Sequence, residues 1–170
     1  MDLLSQEYNE KIAKIGVFLT ARNERVSTAE SCTGGLVSVA LTQIPGASAW
    51  YSGSVTAYDN AVKSEVLEVT DDTLIKWGAV SRECVEEMLT GVQRLLKAHW
   101  AVAVSGIAGP SGQTPEKPVG TVFVGVAYKG NILEVSQNLF EGKRAQVCLQ
   151  SVQKALDMLL THIEKKMALW

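Results

Sequence analysis

The run Trp100-Ala101-Val102-Ala103-Val104-Ser105 constrains the fold more than any other stretch. It is short and apolar at nearly every position. A strand buried on one face alternates apolar with polar residues, whereas a continuous run needs cover on both faces. A sheet between two helical layers supplies that cover, and the flanking patterns fit it. Arg25-Val26-Ser27-Thr28 reads as a short β-branched strand, and Leu36, Val37, Ala40, Leu41 and Ile44 recur after it at helical spacing.

Residues 5–22 read as an earlier helix with Ile12, Ile15 and Leu19 on one face. Pro45-Gly46 ends the second helix, and Ser52 to Tyr58 reads as a strand, with Gly53 suggesting a close backbone approach. A short helix carrying Lys63 follows, then a helix starting near Asp71-Asp72 and a loop at Gly78-Ala79-Val80. Ser81 caps the next helix, whose stripe is Val85, Met88, Leu89, Val92 and Leu96. Val119–Tyr128 and Ile132–Phe140 form a hairpin through Lys129-Gly130-Asn131, and a last helix runs from about Lys143 to about Lys166. Strands alternating with helices predict a three-layer α/β/α sandwich with a mixed, mostly parallel sheet, in a single domain spanning 1–170.

Several function classes are disfavoured. A formal net charge of −2 lacks the basic excess of a nucleic-acid footprint. No apolar run approaches the length of a membrane span, and Met1-Asp2-Leu3-Leu4-Ser5-Gln6-Glu7 is too acidic and polar for a secretory signal. Cys32, Cys84 and Cys148 are odd in number and far apart, as reduced thiols of a cytoplasmic protein would be. His99 and His162 lack partners at zinc-ligand spacing, and their helical contexts argue against a Ser-His-Asp triad.

In such sheets, loops after strands gather on one edge and bind ligands there. Three loops qualify: 29–35, 58–63 and 105–117. The first, Thr28-Ala29-Glu30-Ser31-Cys32-Thr33-Gly34-Gly35, is a tight strand-to-helix turn. Its N–H groups would converge on an electropositive spot suited to developing negative charge. Ser31 is either a nucleophile there or, with Thr33, an ordinary helix cap. Lys63 is either its base, with a pKa lowered by burial and a helix start, or a solvated helix lysine. Tyr58 is either a site residue or a core aromatic. Cys32 is a rival nucleophile with no histidine nearby to activate it. Glu30 could orient the nucleophile, donate a proton or anchor the turn.

The loop from Ser105 through Gly106 and Gly109 to Thr114 and Lys117 either offers amides to a phosphate or is a Pro-pinned turn. It lacks the Gly-Lys-Ser/Thr ending of a P-loop. Lys117 adds charge or braces the loop. Arg144 sits at a helix start, where the dipole disfavours a cation, which hints that it answers an anion.

Four segments also carry a resemblance. They are Thr28 to Gly35, Tyr58-Asp59-Asn60 with Lys63, Gly78-Ala79-Val80-Ser81, and Ser105-Gly106-Ile107-Ala108-Gly109-Pro110 through Lys117-Pro118-Val119-Gly120-Thr121-Val122. In this order they resemble the CinA C-terminal domain family, over roughly residues 10–160. That family's stand-alone members include nicotinamide-nucleotide amidohydrolases. The resemblance implies an α/β/α fold, a cytoplasmic location and a dimer or higher homo-oligomer. It implies hydrolysis of the carboxamide of nicotinamide mononucleotide to nicotinate mononucleotide and ammonia, without metal or organic cofactor. By the motif match, Ser31 is the nucleophile, Lys63 its base and Tyr58 an assistant. Glu30, Thr33, Gly34, Gly35, Asn60, Ser105, Gly106, Gly109, Thr114 and Arg144 fall in the substrate-binding segments.

Three positions depart from the family pattern: Cys148 replaces an arginine, and Glu68 and Gln113 replace glycines. An altered substrate grip follows from such changes. The alternatives to a hydrolase are a weak or inactive paralogue that binds a pyridine nucleotide, and an interaction module. Ammonia release from the mononucleotide separates them.

Overall fold

The computed structural model describes residues 5–168. Residues 1–4, part of the polar N-terminal stretch, and residues 169 and 170 lie outside the described residues. In chain order the elements are α1 (Gln6–Ala21), β1 (Val26–Glu30), α2 (Leu36–Thr42), a 3-10 turn (Ala47–Ala49), β2 (Tyr51–Thr56), α3 (Asn60–Glu65), α4 (Asp71–Lys76), α5 (Arg82–Leu96), β3 (Trp100–Gly106), β4 (Thr121–Tyr128), β5 (Asn131–Leu139) and α6 (Arg144–Met167). The five strands form one sheet in the order β2-β1-β3-β4-β5. β3 is the central strand; β1 lies between β2 and β3, parallel to both, and the hairpin adds the antiparallel pairs β3–β4 and β4–β5. The expected mixed sandwich is the observed one.

Helices cover both faces, as the apolar β3 run requires. Trp100, Val102 and Val104 pack with Val122, Val124 and Val126 of β4 against α1, α2 and α6. Their neighbours Ala101 and Ala103 face the other way, with Phe123 and Ala127, against α5. The asymmetry is physical. Small residues leave room for α5 to pack closely, and a Cβ on Gly125 would come within 2.8 Å of both Val85 and Leu89. The helical stripes read from the sequence are the buried ones: Ile12, Ile15 and Leu19 on α1, and Val152, Leu156, Leu159, Leu160 and Ile163 on α6. Ser81 caps α5 by accepting from the Cys84 N–H at 3.1 Å.

One glycine expectation resolves differently from the sequence reading. Gly53 is not a point of close approach, since a Cβ there would meet only a Leu96 methyl at 3.8 Å. It lies at φ +134° where β2 slips one residue against β1, so backbone conformation is what it supplies. Glu68, the residue in place of a family glycine, adopts φ 58° in the left-handed region and pairs its carboxylate with Arg94.

Parallel pairing of β2, β1 and β3 brings their C-terminal ends to one edge. Three main-chain bonds tie the loops there. Ser31 N–H donates to Val104 O at 2.9 Å, Ala57 N–H donates to Glu30 O at 2.7 Å, and Ile107 N–H donates to Thr121 O at 2.8 Å. Residues 31, 57 and 107 are thereby fixed relative to one another, although they are far apart in sequence.

Candidate active site

The turn after β1 must reverse the chain within five residues before α2 begins. It does so with Gly34 and Gly35 in the left-handed region, at φ 60° and 100°. The start of α2 is then capped by a side chain from the preceding strand. The buried Glu30 carboxylate accepts from the N–H groups of Gly35 at 3.2 Å, Val37 at 3.0 Å and Ser38 at 2.8 Å. It also accepts from the hydroxyls of Thr33 at 2.7 Å and Thr28 at 3.4 Å.

This arrangement corrects two expectations. Neither Ser31 nor Thr33 caps the helix, because Glu30 occupies that role and Thr33 serves Glu30. The tip of α2 is also not offered to a ligand, since its donors are already engaged. Among the described residues, the main-chain donors of the turn without an acceptor in the chain are the N–H groups of Cys32 and Thr33. The Glu30 carboxylate, the Thr33 hydroxyl and the N–H groups of Gly34 and Gly35 are therefore spent on shaping the turn, and only the main-chain N–H of Thr33 is left over as a donor among these four residues.

Capping by Glu30 leaves the Ser31 hydroxyl free, and it faces Lys63. Asp59 caps α3 by accepting from the Ala61 N–H at 2.8 Å, which sets Lys63 one turn into that helix and aims it back under the sheet edge. The Lys63 side chain is 1% exposed. Its Nζ lies 3.2 Å from Ser31 Oγ, donates to the Ala57 carbonyl at 2.8 Å and lies 3.5 Å from the Tyr58 carbonyl. No carboxylate is among these partners. A charged amine donates to all three oxygens, whereas a neutral amine keeps two N–H donors for the carbonyls and a lone pair that can accept from the Ser31 hydroxyl. Burial favours the neutral form, lowering the Lys63 pKa below the ordinary lysine value of 10.5.

Cys32 behaves oppositely. Burial raises its thiol to about 12, and the nearby Cys148 pushes it the same way. The thiol therefore stays protonated near neutrality and is a poor nucleophile. Cys32→Ala is expected to keep turnover within about threefold, and neutral-pH alkylation of this position should be slow; both are measured on the purified protein. Cys84 and Cys148 are buried on α5 and α6, the packing role read from their helical patterns.

Beside Ser31 opens a cleft of about 340 Å³ lined by Cys32, Tyr58, Val80, Gly106, Ile107, Ala108, Gly109, Ser111, Gly112 and Arg144. Tyr58 lies just past β2 and is 59% exposed, so it is no core aromatic. Arg144 opens α6 and reaches across: its Nη1 donates to the Gly109 carbonyl at 2.9 Å and its Nη2 to the Tyr58 hydroxyl at 2.7 Å. A second hollow of about 440 Å³, lined by Ala108, Gly109, Pro110, Val119, Gly142, Lys143 and Arg144, lies on the other side of Arg144.

Of the sequence-derived candidates, Tyr58, Gly106, Gly109 and Arg144 line the cleft, with Ser31 and Lys63 beside it. Ser105 does not. It is buried, and its hydroxyl donates to the Ala79 carbonyl at 2.7 Å, holding the loop that carries Val80. Thr114 also lies apart, because its hydroxyl and N–H close an exposed turn with Lys117. Asn60 sits exposed at the first position of α3. Lys117 braces, donating to the Trp77 carbonyl at 2.9 Å. The sequence reading missed Val80, Ile107, Ala108, Ser111 and Gly112 as lining residues. All lie inside segments already singled out, but apolar and small residues carry no chemical signature of their own.

Both histidines are engaged elsewhere. His99 accepts from the Arg25 N–H at 3.1 Å, and His162 pairs with Glu134 at 2.8 Å. Among the described residues no group of three His, Cys, Asp or Glu side chains is arranged to hold a metal. Among them, too, no helix is long and apolar enough to cross a membrane.

The sequence profile of the CinA C-terminal domain matches residues 8–163. The chain belongs to the CinA C-terminal domain family. A CinA-like protein of Thermotoga neapolitana is 44% identical over 159 residues, covering 93% of this chain but 38% of the relative. The chain thus spans little more than a third of such longer CinA-like proteins. The nicotinamide-nucleotide amidohydrolase PncC of Enterobacter agglomerans is 44% identical over 157 residues, covering 92% of this chain and 96% of the relative. The solved structure of the competence/damage inducible protein CihA from Agrobacterium tumefaciens superposes with a TM-score of 0.91 at 38% identity, covering 95% of this chain and 98% of that one.

Proposed function

We propose that this CinA-family chain hydrolyses the carboxamide of nicotinamide mononucleotide, giving nicotinate mononucleotide and ammonia, with Ser31 as nucleophile and Lys63 as its base. The observation that carries this reading is the 3.2 Å approach of Ser31 Oγ to a buried Lys63 Nζ. A relative of nearly the same length named for this reaction supports the substrate class.

The steps follow from the groups present. Neutral Lys63 takes the Ser31 proton as Oγ attacks the amide carbon. Negative charge grows on the carboxamide oxygen, and the N–H groups of Cys32 and Thr33 supply donors for it. Lys63 returns the proton to the departing ammonia. Water, deprotonated by the same amine, then releases the carboxylate and regenerates Ser31. No side chain other than Ser31 and Lys63 has to gain or lose a proton. The nucleotide spans the cleft and the hollow beyond Arg144, and the guanidinium meets its phosphate. A small-molecule nucleotide is accordingly the partner we propose, along with the cytoplasmic homo-oligomer that the family pattern implies.

The test is ammonia release from nicotinamide mononucleotide by purified protein. Turnover carries the proposal, and binding without ammonia would sink it. The pH profile checks the base. Protonated Lys63 has no lone pair, so kcat/KM should rise about tenfold per pH unit below the Lys63 pKa and level off above it. Because burial lowers that pKa, the plateau should begin below pH 10.5. A profile still rising at pH 10.5 would remove Lys63 from the role.

A further inference from the structure

We infer that Tyr58 is a positioning residue: its hydroxyl, together with the Gly109 carbonyl, fixes the Arg144 guanidinium across the cleft so that its remaining N–H donors meet the phosphate of the substrate. The inference rests on the mononucleotide reading above and deepens it.

Arg144 needs such help. It stands exposed at the first position of α6, on a flexible stem that loses rotamer entropy when it is ordered. The two bonds it makes, 2.9 Å to Gly109 O and 2.7 Å to Tyr58 Oη, go to two different loops that line the cleft. Neither acceptor is a carboxylate, so the guanidinium is oriented without its charge being cancelled. A guanidinium has five N–H groups. Two are spent here, and three stay available on a plane whose orientation is set. That is the geometry an anion with several oxygens requires.

Tyr58 is suited to this work and to little else. With 59% of its surface exposed it contributes little to packing. Its main chain is anchored from below, where its carbonyl lies 3.5 Å from Lys63 Nζ. The same residue therefore joins the amine beside Ser31 to the cation at the far side of the cleft. Its hydroxyl bonds to Arg144 and not to Ser31 or Lys63, which places it on the binding side of the reaction and not in the path of the proton.

The experiment compares Tyr58→Phe with the parent, using nicotinamide mononucleotide and the corresponding riboside, which lacks the phosphate. Binding is measured by calorimetry in a Ser31→Ala background, where turnover cannot interfere. Tyr58→Phe should weaken mononucleotide binding about tenfold and shrink the preference for mononucleotide over riboside by the same factor. Adding Arg144→Ala to Tyr58→Phe should cost little beyond Arg144→Ala alone, because the two act through one guanidinium. In the Ser31 enzyme the loss should fall on KM. A fall in kcat of a hundredfold at unchanged KM would make Tyr58 a proton carrier and overturn the inference. So would equal weakening of both compounds, or no weakening of either. Ammonia release by the parent enzyme tests the hydrolase reading separately. A parent that binds the mononucleotide without turnover fails that reading alone, whereas one that binds neither compound fails both.

Discussion

Ser31→Ala is expected to keep the fold and to release ammonia from nicotinamide mononucleotide at no more than about a thousandth of the parent rate. The substitution removes one oxygen from a 9% exposed position that packs nothing large, so circular dichroism and thermal unfolding should match the parent. What is lost is the atom that attacks. Lys63→Met should lower the rate comparably, and Ser31→Ala with Lys63→Met should be little worse than either alone. Nucleophile and base act as one unit, and such losses do not add. Lys63→Met is the less clean of the two. It keeps the apolar stem but strips the Ala57 carbonyl of the donor that Nζ supplies at 2.8 Å. Its activity should be read beside a denaturation curve. Turnover within tenfold of the parent in folded Ser31→Ala would end the mechanism.

Glu30→Ala should have the largest effect on stability, about 3–5 kcal/mol by urea denaturation. The carboxylate accepts from three main-chain N–H groups at the start of α2 and from the hydroxyls of Thr33 and Thr28. Its loss strands these donors in the interior, where each unpaired group costs about 1–3 kcal/mol before relaxation and entering water recover part of it. Glu30→Gln should fall between, because one amide oxygen still accepts while the amide nitrogen turns a donor toward other donors. Activity should fall with stability in both variants, since the turn that carries Ser31 is built on these bonds. A cost below about 1 kcal/mol for Glu30→Ala would show that α2 starts without this cap.

The two predictions divide the turn by role. Ser31 is removable without structural cost because Glu30 has already taken up the donors that a serine at a helix start would otherwise serve. Sequence alone leaves the cap ambiguous, since Glu30, Ser31 and Thr33 are all within reach of the same N–H groups. Which one occupies them depends on where β1 ends, and on the bond from Ala57 N–H to Glu30 O that clamps the neighbouring loop at 2.7 Å.

Local pattern determined a great deal about this protein. The continuous apolar run of β3, the 3.6-residue stripes of α1, α5 and α6, the Ser81 cap and the hairpin through Gly130 are all short-range signals. Each places an element because the side chains of one segment suffice to state what they must bury. The family motifs likewise marked Ser31, Lys63 and Arg144 by residue type and order. Tertiary structure alone decided which of these groups meet. That Lys63 is buried and its amine faces Ser31 rather than solvent follows from the parallel pairing of β2, β1 and β3, and that Arg144 spans from Gly109 to Tyr58 follows from where α6 starts after the antiparallel hairpin. The register of the strand pairing fixes distances between residues dozens of positions apart, and no periodicity within any one segment encodes it.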